Sequence, residues 1–91
     1  MLDYLVEFIG TFIFLSVIIV TGNPIAIAIA LASVIYFGGK VSGGHFNPAV
    51  NVMMYLNKKM STTKLIGQTI AQLLGAVAAF MYFKALKNNK N

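Results

Sequence analysis

Three apolar blocks separated by short polar breaks dominate the chain. The first runs from about Leu2 to Val20, and from Phe8 onward only Gly10, Thr11 and Ser16 interrupt it with small or polar side chains. At 1.5 Å per residue, about 18 residues reach roughly 27 Å, which matches the hydrocarbon core of a thin bilayer. Thr21, Gly22, Asn23 and Pro24 close the block. Glycine takes the left-handed cap and proline can only open a new helix, so the next element returns antiparallel. The second block, Ile25 to about Gly39, reads IAIAIALASVIYFGG. Its alternation of Ile and Ala scores at the strand period, but the run is too long, alanine is a poor strand former and an open strand in lipid leaves its backbone unpaired. The consistent reading is a helix to about Val41, with Ala26, Ala28, Ala30, Ala32 and Ser33 offering small surfaces for close helix contact.

The third block spans Ile66 to Leu86, with Ser61 or Thr62 available as its N-cap and Lys84, Lys87 and Lys90 at its end. Gly67, Ala71 and Gly75 form a small-residue stripe at i, i+4 and i+8, joined by Ala78 and Ala79. Gln68 and Gln72 share one face, and buried amides in lipid find interhelical partners. The tail KALKNNKN reads as a solvated, partly frayed end.

Between the second and third blocks lies KVSGGHFNPAVNVMMYLNKK, residues 40 to 59. Gly43 and Gly44 stop the arriving helix, and Asn47 followed by Pro48 restarts one with asparagine at the N-cap and proline at N1. About two apolar turns come next, before Asn57, Lys58 and Lys59. That is too short to span a bilayer and too apolar for water, so the pattern predicts a half-helix that dips in and returns on the same side. An interfacial amphipathic helix competes, and the polar, glycine-rich approach to a capped apolar start argues against it. The fold expected is an all-α membrane protein with three transmembrane helices, at about 2–21, 25–41 and 62–86, plus one re-entrant half-helix within 42–57.

Composition agrees. The 91 residues are 58% hydrophobic and 10% charged, too apolar for a soluble domain of this size. The absence of cysteine excludes disulfides, thiolate metal sites and thiol catalysis. Seven lysines against Asp3 and Glu7 give a net charge of +5, but they sit between apolar blocks and no arginine is present to read base edges. Membrane headgroups rather than nucleic acid are the expected partners. A signal peptide would need a basic start, whereas no lysine precedes position 40. Tyr4, Tyr36, Tyr55 and Tyr82 are candidate headgroup markers.

A short helix beginning at depth offers unbonded N–H groups and the positive end of its dipole, a device for orienting water and repelling cations. Asn47 suits that place, since its carbonyl caps the backbone while its NH₂ remains free to donate. The carbonyls of Gly43, Gly44, His45 and Phe46 are candidates to line a polar track. Glu7 has two readings: an interfacial carboxylate in water, or one facing the bundle and accepting N–H bonds from the irregular segment. His45 is the lone histidine and has no cysteine or second histidine to share a metal with, so no metal site, cofactor or catalytic relay is expected and the chain does not read as an enzyme.

These motifs resemble the major intrinsic protein family, the aquaporins and glycerol facilitators. SGGHFNPAVN at 42–51 is similar to the family's loop with its Asn-Pro-Ala signature, EFIGTF at 7–12 to its first helix and AQLLGA at 71–76 to its third, in family order. The resemblance implies that residues 1–91 form a single half-aquaporin-like repeat. By it, Asn47, Pro48 and Ala49 are the first of two signatures whose half-helices meet at mid-membrane. Glu7 is the carboxylate supporting the loop, His45 its ring and Gln72 a structural amide, with Gly10 and Gly75 as further structural support. Ile27 falls where the selectivity filter is usually aromatic, and Asn51 where threonine is usual.

The second half of the family pattern, with its other Asn-Pro-Ala and its filter arginine, is not present in these 91 residues. The resemblance therefore implies passive transport of water or a small neutral solute by an assembly with an inverted copy, as a homo-oligomer, or with a complementary second-half chain, in a plasma or inner membrane. The alternative is a truncated or fragmentary channel without independent transport, acting at most as a membrane interaction subunit. With residues 1–3 inside, four lysines (40, 58, 59, 64) face three (84, 87, 90), a balance that permits insertion in both orientations.

Overall fold

The computed structural model describes residues 1–89. Lys90, one of the flanking charges, lies outside the described residues. Four helices succeed one another: α1 (Leu2–Thr21), α2 (Pro24–Ser42), α3 (Pro48–Leu56) and α4 (Thr62–Asn89). Local chemistry sets each boundary. Gly22 ends α1 in the left-handed region at φ 57°, its N–H donating to the Ile18 carbonyl. Asn23 then caps α2, its Oδ1 accepting from the N–H groups of Ile25 and Ala26 with Pro24 beside it in the first turn. Gly43 ends α2 at φ 94°, and Asn47 caps α3 by accepting from the Ala49 N–H at 2.8 Å. Of the two candidate caps for α4 it is Ser61 that accepts, from the Lys64 N–H at 3.2 Å. Thr62 instead donates to the Tyr55 hydroxyl.

α1 is the central helix. α2 and α4 each pack on it without packing on one another, and α3 packs on α4. Lys64 at the start of α4 pairs with Asp3 at the start of α1 at 2.9 Å, while Tyr82 meets Phe12 edge-on with ring centroids 5.9 Å apart. α4 therefore runs parallel to α1, and α2, joined by the tight turn, runs antiparallel. The small-residue stripe forms the α1/α4 seam: Ala71, Gly75 and Ala79 are buried in it. A Cβ on Gly75 would lie 2.9 Å from the Phe8 carbonyl oxygen and 3.1 Å from the Phe12 nitrogen, so the two backbones approach as closely as glycine allows.

The alanine face of α2 is used less than its composition suggests. Only Ala30 is buried, whereas Ala28 and Ala32 are exposed, because α2 has a single helical neighbour and one covered stripe. Tyr4 packs at the α1/α4 seam, its ring lying against Gly67, and Tyr82 touches Phe12 edge-on while remaining 46% exposed. Tyr36, by contrast, is 78% exposed. α4 remains helical to Asn89, where the sequence suggested fraying, since no glycine or proline after Gly75 interrupts it.

Burial is inverted relative to a water-soluble protein. The largest fully buried side chains are Gln72, Glu7, Asn51 and Thr11, while Ile29, Phe37, Leu73, Val77 and Phe80 lie on the outside. Polar groups inside and apolar groups outside is the arrangement a lipid solvent enforces. α1, α2 and α4 are each long and apolar enough to cross a bilayer. The molecule is an integral membrane protein built as a three-span helical bundle. Lys84 and Lys87 near the end of α4 lie over the rings of Phe80 and Phe83, as expected of lysine stems running along an apolar surface with their charges near the interface.

The seam generates a test. Replacing Gly75 with valine forces backbone apart and is expected to cost at least about 2 kcal/mol. Gly39→Ala, whose added Cβ meets Ile35 at an ordinary 3.9 Å, should be neutral or stabilising by up to about 1 kcal/mol. Thermal unfolding in detergent micelles reads both, and equal melting temperatures for the two variants would contradict the seam.

Candidate functional site

The chain leaves helical geometry after Ser42 and regains it at Pro48. Gly43 and Gly44 supply two positive φ angles, at 94° and 69°, and Phe46 adopts a third at 51°. For a side chain with a Cβ that conformation costs about 1 kcal/mol or more and persists only where surrounding contacts over-determine it. Those contacts are visible. The Phe46 ring, 2% exposed, fills the space beside Gly10 of α1, where any Cβ would overlap it, and reaches Gly38 of α2, where a Cβ would lie 3.3 Å from its Cζ. Gly10 and Gly38 are thus the socket for one aromatic anchor of an irregular segment.

The second anchor is polar. Glu7 has no exposed surface, and four donors converge on its carboxylate. The Phe46 N–H (2.8 Å) and Gln72 Nε2 (2.7 Å) donate to Oε1, and the Ser42 hydroxyl (2.6 Å) and His45 N–H (3.3 Å) donate to Oε2. Four donors match the acceptor-only inventory of a carboxylate. Of the two readings of Glu7, the structure selects the one facing the bundle. Gln72 also exchanges a reciprocal pair of bonds with Asn51: Asn51 Nδ2 donates to Gln72 Oε1 at 2.8 Å, and Gln72 Nε2 to Asn51 Oδ1 at 3.1 Å. Asn51 Nδ2 donates further to Thr69 Oγ1 at 3.0 Å, and its Oδ1 lies 2.8 Å from His45 Nδ1. Gln68 extends the network, its Nε2 donating to the Ser42 carbonyl at 3.1 Å.

Glu7 holds the N–H groups of His45 and Phe46 inward, while the Gly44 N–H donates to the Ser42 hydroxyl and the Gly43 N–H to the Gly39 carbonyl. Among the described residues none of the carbonyls of Gly43, Gly44, His45 and Phe46 accepts a hydrogen bond from the protein. Asn47 uses only Oδ1 on its own helix, its Nδ2 has no protein partner among the described residues, and Asn47 and Ala49 are exposed while Pro48 is half-buried. An open cavity of about 590 Å³ adjoins the segment at the end of the bundle where α1 and α4 begin, lined by His45, Gly43, Met54, Lys59, Lys64 and Gln68 among others.

Glu7, Gly10, Gly43, Gly44, His45, Phe46, Asn47, Pro48, Ala49 and Gln72 are accordingly gathered in or beside one cluster, with Gly75 one turn beyond Gln72 at the seam. Ile27 is not. It is half-buried in the first turn of α2, about fifteen residues and so roughly 22 Å from Ser42. Sequence reasoning missed Ser42 as a donor to Glu7 and the reciprocal partner of Gln72, Asn51. An amide isolated among Val50, Val52 and Met53 was the available signal for the latter.

Leucine at position 7 would leave the N–H groups of Phe46 and His45 and one hydrogen of Gln72 Nε2 without an acceptor, at about 1–3 kcal/mol for each buried one before relaxation, while the Ser42 hydroxyl keeps a long contact to the Gly38 carbonyl. Glu7→Leu is therefore expected to lower stability by at least about 3 kcal/mol, Glu7→Gln by less because one oxygen remains, and Lys87→Ala by no more than about 0.5 kcal/mol. Folded yield and thermal unfolding in micelles give the comparison, and parity between Glu7→Leu and Lys87→Ala would remove Glu7 from its structural role.

The chain is similar to known membrane proteins. The major intrinsic protein family matches over residues 19–91. The chain is 43% identical over 88 residues to glycerol uptake facilitator protein-like 6 of Lactiplantibacillus plantarum, covering 87% of this chain and 41% of that protein. It is 41% identical over 59 residues to the lens fiber major intrinsic protein of Gallus gallus, covering 65% of this chain and 22% of that one. To aquaporin Z of Brucella melitensis it is 33% identical over 70 residues, covering 77% and 31% respectively. The chain thus spans well under half the length of these relatives. No solved structure gives a significant match. With most of its length matched by the family and the three-span bundle in place, the chain belongs to the major intrinsic protein family, whose members are transporters rather than enzymes.

Proposed function

We propose that the chain is a half-length aquaporin-like channel protein that carries water or a small neutral solute passively once an inverted copy or a complementary second half closes the pore. The observation that carries this reading is the 43–47 segment. The N–H groups of His45 and Phe46 are turned onto buried Glu7, the carbonyls of Gly43 to Phe46 are unengaged among the described residues, and Asn47 caps α3 with its NH₂ uncommitted. A row of acceptors leading to a donor at a positive helix end suits a file of neutral, hydrogen-bonding molecules and disfavours cations.

In this reading α3 is a re-entrant half-helix. Asn51, early in α3, meets Thr69 and Gln72, whereas Tyr55, near its end, meets Thr62 at the start of α4. The excursion therefore goes in and returns toward the end where α4 begins, and Gln72, about ten residues into α4, marks a depth of roughly 15 Å. Asn47, Pro48, Ala49 and the carbonyls of Gly43 to Phe46 line the path. Ile27, in the first turn of α2, is the residue this reading assigns to the filter, and its aliphatic side chain suits a less polar constriction. The protein resides in a cell membrane, plasma or inner.

A second reading has its own support. The segment is open on the side that α2 and α4 leave uncovered, and the chain corresponds to 41% of its Lactiplantibacillus relative. In this view the chain does not conduct and binds other membrane chains through that side. Stopped-flow shrinkage of proteoliposomes separates the two. Permeability is expected above that of empty liposomes and to fall by roughly fivefold or more in Asn47→Asp, the factor for one lost hydrogen bond of about 1 kcal/mol. Permeability equal to that of empty liposomes at saturating protein density refutes the self-sufficient channel.

A further inference from the structure

Hydrogen-atom accounting around Asn51 fixes the state of the chain's single imidazole. Both hydrogens of Gln72 Nε2 are committed, to Glu7 Oε1 and to Asn51 Oδ1. Both hydrogens of Asn51 Nδ2 are committed as well, to Gln72 Oε1 and Thr69 Oγ1. The Glu7 carboxylate cannot face a carbonyl oxygen, so it sets the orientation of the Gln72 amide, and Gln72 in turn sets that of Asn51. Asn51 Oδ1 is then an acceptor with no hydrogen to give, and the short 2.8 Å contact with His45 Nδ1 requires that Nδ1 carry the proton.

Asn51 and His45 are six residues apart across the irregular segment, so this direction is imposed by a buried network and not by local turn chemistry. In the neutral ring this leaves the other nitrogen as a bare lone pair. Among the described residues Nε2 has no protein donor, and His45 lines the open cavity at this end of the bundle. Gly43 helps to keep that nitrogen uncovered, since a Cβ there would sit 3.0 Å from Nε2.

We infer that Asn51 is a positioning residue that locks neutral His45 with its proton on Nδ1, so that Nε2 serves as a hydrogen-bond acceptor for an O–H-bearing solute, water or a small alcohol, where the polar segment meets the cavity. The acceptor role rests on the transport reading, whereas the lock does not.

The test is magic-angle-spinning NMR of the full chain in lipid bilayers with ¹⁵N-labelled histidine, recorded under alkaline conditions. One histidine gives one pair of ring signals. A protonated Nδ1 and an unprotonated Nε2 are expected, the Nδ1–H form outnumbering the other by roughly tenfold. Magnetisation transfer from water protons to Nε2 is also expected. Asn51→Thr, whose shorter side chain ends in a hydroxyl able to donate, should shift the ring toward the Nε2–H form, with helix content from circular dichroism reporting whether it folds. An Nε2–H wild-type spectrum overturns the lock, as does an unchanged spectrum in folded Asn51→Thr. A dry Nε2 overturns the acceptor role. If the variant does not fold, the wild-type spectrum decides alone. Liposomes that do not conduct while the Nδ1–H spectrum is seen sink the transport reading and leave the lock standing.

Discussion

A carboxylate with no exposed surface, inside a helix bundle whose outer face is apolar, has to be satisfied from within the protein. Glu7 meets that constraint with four donors from three different places: the end of α2, the irregular segment after it, and α4. Each donor group would itself be costly to bury unpaired. The carboxylate and the segment therefore require one another. Either alone would be a liability in lipid, and together they tie all three spans and the segment to one point.

Close backbone approach is what lets that point form. Gly75 allows α4 to press against the α1 backbone, bringing Gln72 within reach of Glu7, and Gly10 and Gly38 open the socket into which Phe46 inserts. Phe46 in turn holds an uncommon positive φ that helps to turn its own N–H onto Glu7. Apolar packing and polar satisfaction act here on the same residue from opposite sides, which is why a short segment without internal backbone hydrogen bonds keeps a defined course.

Orientation propagates outward from the carboxylate. Glu7 sets the amide of Gln72, that amide sets Asn51, and Asn51 sets the imidazole of His45, so a charge inside the bundle determines that Nδ1 is a protonated ring nitrogen. The open side of the segment has a different origin. α2 and α4 both pack on α1 and meet each other only where Gln68 reaches the Ser42 carbonyl, so among the described residues one flank of the 43–47 segment has no helix beside it as a wall. The enclosed passage proposed for the family member must take that wall from another set of helices.

Helix positions and type are legible in the residue pattern because their causes are local: Gly22, Asn23 and Pro24 write the first turn, and Gly43, Asn47 and Pro48 write the break and restart. The family is legible as well, in motifs short enough to be read without a fold. Where Glu7 points is not, since an acid near a chain end fits water as readily as a bundle until Ser42, Phe46 and Gln72 are brought to it from 35, 39 and 65 residues away. The unused face of α2, the packing role of Tyr4, and the pairing of Asn51 with Gln72 likewise depend on which helices are neighbours. Local rules act through the backbone over a turn or two, whereas a buried hydrogen bond is decided by distance in space, and only the folded bundle sets that.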